Sequence, residues 1–224
     1  MEISPIAVIR TEFPEKFGIP RQSGLASGLR GRIVFNECYR FPAALKGLEA
    51  FSHIWLIWEF SSNRHSDWNP TVRPPRLGGN ATMGVFATRS PFRPNPLGLS
   101  CVEIESIDLD TPEGPVIYVK GADLMDGTPI YDIKPYIRYA DSRPESVCGY
   151  ADSTPQKTLD VVMSEDIRME LGDKASAAAE ILAYDPRPSY QNDPERIYGL
   201  SFAGFDIRFQ VESETLYVKE VQKL

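Results

Sequence analysis

Short apolar runs, separated by turns rich in glycine and proline, recur over the first 140 residues of the chain. The run at residues 53–60 is apolar on nearly both faces, as expected for a central strand. The predicted strands cover residues 6–9, 32–35, 52–60, 84–88, 102–107, 116–120 and 130–137. Residues 41–50 suit a short helix, with Pro42 in its first turn. Many short strands with almost no helix predict a mainly β domain, either a barrel or a sandwich.

The pattern changes after residue 140. Residues 141–155 are polar and contain Pro144 and Gly149, which is typical of a linker. Beyond them lie a short predicted strand at 159–163, predicted helices at 164–170 and 174–183, and a hairpin at 205–219 whose first strand alternates cleanly. We therefore expect a β domain over residues 1–140, a linker over 141–155, and a small α+β domain over 156–224.

Composition narrows the class of protein. The net charge of −7 argues against broad, non-specific affinity for nucleic acid. Three scattered cysteines and two histidines favour neither a disulfide framework nor a metal site. No apolar run reaches the ~18 residues that span a bilayer, and the start of the chain lacks the features of a signal peptide. We expect a cytoplasmic protein without a membrane segment or a metal.

Residues 84–100, GVFATRSPFRPNPLGLS, form the strongest chemical motif. Each proline fixes φ near about −65° and restricts the residue before it, so the loop is stiff and displays Arg89, Arg93 and Asn95. Forked guanidinium donors suit an anionic or planar ligand. The alternative is a rigid connector whose arginines pair with the surplus acids of the chain.

The arginines of this loop belong to a wider cationic region. Its members are Arg64, Arg73, Arg76, Arg89 and Arg93. The only acid between residues 64 and 93 is Asp67. The region is either an ordinary solvated surface or a contact for phosphates.

A second polar motif follows at residues 123–136, around the turn dipeptide Asp126-Gly127. Strand alternation predicts two faces, one with Tyr131, Ile133 and Pro135 and the other with Ile130, Asp132, Lys134 and Tyr136. An ion pair between Asp132 and Lys134 is one interpretation. A pocket for a base or an adenine ring, with Tyr136 beside Lys134, is the other.

Other familiar motifs are absent from the sequence. No GxGxxG, P-loop or GxSxG motif is present, and His53 is better explained as a hydrogen-bonded strand histidine than as a catalytic base. In the small domain, residues 185–190 (DPRPSY) are more elaborate than a helix stop requires. Arg187 and Tyr190 there are candidate RNA contacts.

Several segments resemble the TrmO family of tRNA methyltransferases. They are residues 20–25, 48–55, 70–80, 84–100, 126–136 and 181–190. The resemblance implies a single-sheet β-barrel with a small α+β C-terminal domain, and S-adenosylmethionine as cofactor without a Rossmann fold. It also implies methylation of N6 of threonylcarbamoyladenosine at position 37 of threonine tRNAs by a homodimer. The cofactor pocket would lie near the subunit interface.

The resemblance also implies roles for particular residues. The expected cofactor-binding residues are Gln22, Ser23, Gly24, Phe60, Ser61, Arg89, Leu99, Gly121, Ala122, Asp123 and Leu124. The candidate catalytic residues are Asp126, Lys134 and Tyr136, because the acceptor nitrogen is a poor nucleophile and a base would help. The candidate tRNA contacts are Arg64, Arg73, Arg76, Arg93, Asn95, Arg187 and Tyr190.

Two other functions fit the same residues. One is methyl transfer from the same cofactor to another nucleoside or to a small metabolite. The other is a module that senses the cofactor and binds RNA without turnover.

Overall fold

A computed structural model describes residues 2–63, 68–78, 81–153, 158–188, 191 and 193–224. These residues form the strands β1 (Ala7–Thr11), β2 (Arg30–Phe35), β3 (His53–Glu59), β4 (Thr71–Val72), β5 (Met83–Gly84), β6 (Leu97–Thr111), β7 (Gly114–Lys120), β8 (Thr128–Pro135), β9 (Asp160–Val162), β10 (Tyr198–Phe202), β11 (Phe205–Glu212) and β12 (Thr215–Lys223). The α-helices are α1 (Arg138–Asp141), α2 (Tyr150–Ser153), α3 (Glu165–Leu171) and α4 (Ala175–Ala183).

Six strands close into an antiparallel barrel in the order β1-β2-β7-β6-β3-β8. Alternation along β3 sends Ile54, Leu56 and Trp58 into the barrel, where each is at most 8% exposed. Ile33 and Ile130 are fully buried beside them. The predicted β-barrel is confirmed, and closure leaves no unpaired edge strand.

The C-terminal residues form a four-stranded sheet in the order β10-β11-β12-β9, in which β9 runs parallel to β12. The predicted alternation of β11 is confirmed, because Phe205, Ile207, Phe209 and Val211 are buried and the residues between them are not. Helices α3 and α4 cover this sheet and share one apolar core with it. The predicted small α+β domain is therefore confirmed.

Three local predictions were wrong. The strand predicted at 84–88 stops at Gly84, and residues 85–87 form a 3₁₀ turn, closed by the hydrogen bond from Thr88 Oγ1 to the carbonyl oxygen of Val85 (2.9 Å). The helix predicted at 41–50 is two 3₁₀ turns, because Gly47 between them has a left-handed φ of 90°. The linker over residues 141–155, which contains helix α2, stays a prediction.

The third error concerns the faces of β8. The pairing with β3 shifts register between Ile57 and Trp58, so that Trp58 lies opposite Ile130 and Ile57 opposite Asp132. Tyr131 is the extra residue of a β-bulge, which reverses the alternation that follows it. Ile130 therefore points into the barrel, whereas Asp132 and Lys134 lie outside.

Residues 12–29 connect β1 to β2 and pack against the C-terminal sheet and helices. We refer to them as the 12–29 segment. Phe13, Ala26 and Leu29 are at most 3% exposed and belong to the core of the small domain. Two contacts with Glu12 reinforce this packing, a hydrogen bond from the Ala203 amide to its carbonyl oxygen (2.9 Å) and a salt bridge from Lys174 (2.7 Å). The C-terminal core thus contains residues from the N-terminal part of the chain.

In the part of the chain that the structure describes, every helix is too short or too polar to cross a lipid bilayer.

Candidate active site

A cavity of about 580 Å³ lies at the end of the barrel where β3 ends and β6 begins. The 12–29 segment, the loop before β6 and the connection from β7 to β8 form its other walls. Its volume falls in the range of about 300–1,000 Å³ that is usual for small-molecule sites. The antiparallel order of the barrel places these connections at one end.

Many of the residues expected at a cofactor site line this cavity. They are Gln22, Phe60, Ser61, Arg89, Leu99, Asp123 and Leu124, with Arg93 beside them. The remaining four do not line it. Among them, the Gly24 amide donates to the carbonyl oxygen of Gly121 (2.9 Å), and Ser23 Oγ accepts from the amide of Cys101 (3.2 Å). Ala122, the fourth, is 2% exposed. One cavity thus unites segments that are far apart in the sequence.

Arg89 links two of these segments, because its Nη1 donates a hydrogen bond to the side-chain oxygen of Gln22. Arg93 is held differently. Its Nη1 donates to the carbonyl oxygens of Val85 (3.1 Å) and Thr88 (2.7 Å), and its guanidinium lies 5.7 Å from the centre of the Phe86 ring. Arg93 therefore stabilises its own loop through contacts within it, whereas Arg89 connects that loop to the 12–29 segment.

A short hydrogen-bond chain runs from the barrel core to the cavity. Trp58 Nε1 donates to Ser100 Oγ (3.0 Å), and Ser100 Oγ donates to Asp123 Oδ1 (2.6 Å). Trp58 and Ser100 are 8% and 2% exposed. Burial raises the pKa of Asp123, while the hydrogen bond from Ser100 and the charge of Arg89 lower it by less.

Sequence reasoning missed several cavity residues. Trp58, Lys16, Arg21 and Glu59 line the cavity, and Ser100, outside the lining, connects Trp58 to Asp123. The long, irregular stretch between the strands predicted at 6–9 and 32–35 is the sequence signal that points to Lys16 and Arg21, since long loops in compact domains are usually functional. Ser100 could be found only from the β3–β6 register, which places it opposite the inward-pointing Leu56.

None of the three candidate catalytic residues lines the cavity. Asp126 accepts from the Thr11 amide (3.0 Å) and pairs with Arg10 (3.3 Å). Lys134 pairs with Asp132 at 2.8 Å, which is the first of the two interpretations of that motif. Tyr136 lies near Trp55, with ring centres 6.0 Å apart. Their part in catalysis stays a prediction without support from the geometry.

Of the candidate tRNA contacts that the structure describes, only Arg93 lines the cavity. Arg73 and Asn95 are exposed, and Arg76 lies in a 3₁₀ turn at Pro75–Leu77. Arg64 and Tyr190 lie outside the described residues.

Arg187 is 8% exposed and forms a bidentate ion pair with Asp185, at 2.8 and 2.9 Å. A guanidinium held in this way anchors the end of the segment after α4 and offers little surface to a phosphate. Its contact with RNA also stays a prediction.

Comparisons with known proteins agree along the whole chain. The family model described as "tRNA-methyltransferase O N-terminal domain" matches residues 8–142, and that of the "TrmO C-terminal domain" matches residues 156–224. The tRNA (adenine(37)-N6)-methyltransferase of Escherichia coli K12 is 40% identical over 219 residues, covering 94% of this chain and 93% of that protein. A putative S-adenosylmethionine-dependent methyltransferase of Pseudomonas aeruginosa, RcsF, is 40% identical over 216 residues, covering 92% and 91%.

Solved structures show the same relationship. A crystal structure of TrmO from Pseudomonas aeruginosa matches with a TM-score of 0.78 and 33% identity, covering 99% of this chain and 98% of that one. Both parts of the sequence and the complete fold are therefore accounted for by one family. The chain belongs to the TrmO family of tRNA methyltransferases.

Proposed function

We propose that the cavity binds S-adenosylmethionine and that the protein methylates N6 of threonylcarbamoyladenosine at position 37 of threonine tRNAs. Membership of the TrmO family makes it an S-adenosylmethionine-dependent tRNA (adenine(37)-N6)-methyltransferase. The modified nucleoside, the threonine isoacceptors, the homodimer and a cytoplasmic location are the further steps of the proposal. They rest on the resemblance of the motifs described above.

One observation carries the proposal: a single cavity gathers residues that the motifs assign to the cofactor from four separate segments. Its chemistry suits S-adenosylmethionine. Leu97 and Leu99 are 37% and 55% exposed, an apolar surface suited to an adenine ring. Glu59 can face the positive sulfonium and ammonium groups, and Arg89 the carboxylate.

The bound cofactor would supply an electrophilic methyl group. The work of the protein is then to place the acceptor nitrogen in line with that methyl and to exclude water. Arg89 and Gln22 hold the proline-rich loop against the 12–29 segment, which fixes two walls of the cavity relative to each other. The arginines outside the cavity, Arg73 among them, would contact tRNA phosphates.

The test uses purified protein, S-adenosylmethionine and threonine tRNA with or without the threonylcarbamoyl group. We expect calorimetry to detect cofactor binding and nucleoside mass spectrometry to detect one added methyl only on the modified tRNA. Methylation of the unmodified tRNA, or of another nucleoside, would contradict the proposed acceptor. Cofactor binding without any methyl transfer would favour the sensing module instead.

A further inference from the structure

Asp123 lines the cavity and is joined to the buried core of the barrel by a chain of two hydrogen bonds. It follows β7, while its hydrogen-bond partner Ser100 lies in β6 and Trp58 lies in β3. We propose that Asp123 is the base that takes the proton from the acceptor nitrogen during methyl transfer. This inference rests on the proposed function and adds a catalytic residue to it.

The hydrogen bonds fix the direction of the chain. Trp58 Nε1 can only donate, so Ser100 Oγ accepts from it and points its own hydrogen at Asp123 Oδ1. Both partners are buried, and neither can turn away without leaving a polar group unpaired. The carboxylate of Asp123 is therefore held as an acceptor at a fixed position on the cavity wall.

The other carboxylates near the cavity are less suitable. Glu59 accepts a hydrogen bond from Tyr131 OH (2.9 Å) and is placed at the end of β3. Asp126 is occupied by Arg10 and the Thr11 amide and does not line the cavity. Asp123 alone among these three combines a place in the lining with a buried anchor.

The reaction step balances with Asp123 as the base. The lone pair of N6 forms the new bond to the methyl carbon, and the methyl–sulfur bond breaks with its electron pair passing to sulfur. The proton on N6 passes to a carboxylate oxygen of Asp123, which later releases it to water. The products are the methylated nucleoside, a neutral thioether and one proton.

The charges around Asp123 determine its response to pH. The charge of Arg89 acts on it, and Lys16, Arg21, Arg93 and Glu59 line the same cavity. Burial raises the pKa of Asp123 above the ordinary value for aspartate, which brings a base closer to its working pH. Methyl transfer should therefore decrease as the pH falls through this raised pKa, because the carboxylate becomes protonated.

The experiment measures single-turnover methylation of modified threonine tRNA at saturating S-adenosylmethionine, across pH, together with cofactor affinity by calorimetry. We expect Asp123→Asn to lower the rate by about 10²- to 10⁴-fold, while the dissociation constant changes by less than about threefold. Asp110→Asn, at an exposed position near the end of β6, is the matched control and should behave as wild type.

A second variant tests the base without removing it. Ser100→Ala deletes a hydrogen bond that lowers the pKa of Asp123, so the acidic limb of the rate profile should move to higher pH. A purely structural role for Ser100 would lower the rate without moving the limb. This variant tests whether Asp123 is the base even if Asp123→Asn does not fold.

Three outcomes would overturn the inference. They are an Asp123→Asn rate within tenfold of wild type, an unmoved acidic limb in Ser100→Ala, and a loss of cofactor affinity with the saturated rate retained. The last would make Asp123 a cofactor ligand. Wild-type protein is assayed first, because absence of its turnover contradicts the proposed function, whereas a normal Asp123→Asn rate contradicts only the role of Asp123.

Discussion

Single side chains in this cavity are positioned by partners from other segments. Arg89 is fixed by Gln22 of the 12–29 segment, and Asp123 by Ser100 of β6. The proline spacing around Arg89 made it a candidate from sequence alone. Ser100 carried no such signal, because its importance arises from a strand register that only the folded barrel defines.

Removing Arg89 should weaken cofactor binding. We expect Arg89→Ala to raise the dissociation constant for S-adenosylmethionine at least tenfold, about 1.4 kcal/mol, since a charge-assisted contact is lost. Arg89→Lys keeps the charge but loses the bidentate guanidinium geometry. Its dissociation constant should therefore lie between those of the wild type and Arg89→Ala. Calorimetry on both variants checks this, with the exposed Arg143→Ala as the control. An unchanged affinity in Arg89→Ala would exclude a cofactor contact.

At the scale of elements, the end of β3 and the start of β6 line one side of the cavity. Trp58 lies opposite Gly98 in their register, and its indole occupies the space that a side chain on Gly98 would need. A Cβ on Gly98 would stand 2.2 Å from Trp58 Cε2. The glycine is therefore required by packing, and it places Trp58 within reach of Ser100.

We expect Gly98→Ala to displace the Trp58 ring and destabilise the protein by about 1–3 kcal/mol, as overpacked cores do. Cofactor affinity should fall with it, because Trp58 lines the cavity. Denaturant unfolding and calorimetry measure the two effects. Gly84→Ala is the matched control, since nothing lies within 4 Å of its Cβ position. Equal stability of the two variants would contradict this packing argument.

Much of the element pattern follows from sequence, and its errors have local physical causes. The alternation in β3 and β11 predicts their buried faces correctly, because the register shifts beside them place the extra residue in the partner strand. In β8 the bulge inserts Tyr131 as an extra residue, so alternation fails beyond it. A bulge depends on the partner strand, and the sequence of β8 alone does not reveal it.

For the whole molecule, the important connection is the 12–29 segment. It has no regular strand or helix, and its apolar residues show no period that sequence analysis could detect. It nevertheless supplies Phe13, Ala26 and Leu29 to the C-terminal core and Gln22 to the cavity. A boundary near residue 140 therefore separates the barrel from the C-terminal sheet. It does not separate their apolar cores, because the C-terminal core includes residues of the 12–29 segment.

Phe13 tests that shared core. It is 1% exposed and its ring centre lies 5.2 Å from that of Phe202. Phe13→Ala should reduce the free energy of unfolding by about 3–5 kcal/mol, because it leaves a cavity in the C-terminal core. Phe41→Ala, at a side chain 62% exposed, should change it by less than about 0.5 kcal/mol. Urea titration of both variants measures the difference, and similar values would refute the shared core.

The salt bridge from Lys174 to Glu12 makes a smaller, pH-dependent contribution. The hydrogen bond with Glu12 raises the pKa of Lys174, so its stabilisation is complete below the unfolded value and is lost as pH rises through the folded one. Because both side chains are partly exposed, we expect Lys174→Met to lower the free energy of unfolding by no more than about 1 kcal/mol at pH 8. Unfolding at pH 8 and pH 11 should show the difference shrinking; a constant difference would exclude the charge effect.

The double attachment of the 12–29 segment makes the cavity and the C-terminal domain thermodynamically dependent on each other. A ligand that binds only when Gln22 and Arg89 are in place favours the conformation in which Phe13 and Leu29 are docked. Linkage is reciprocal, so whatever stabilises the small domain must favour the ligand by the same factor. Substitutions in α4 or β10, remote from the methyl-transfer chemistry, are therefore expected to alter cofactor affinity without touching the cofactor.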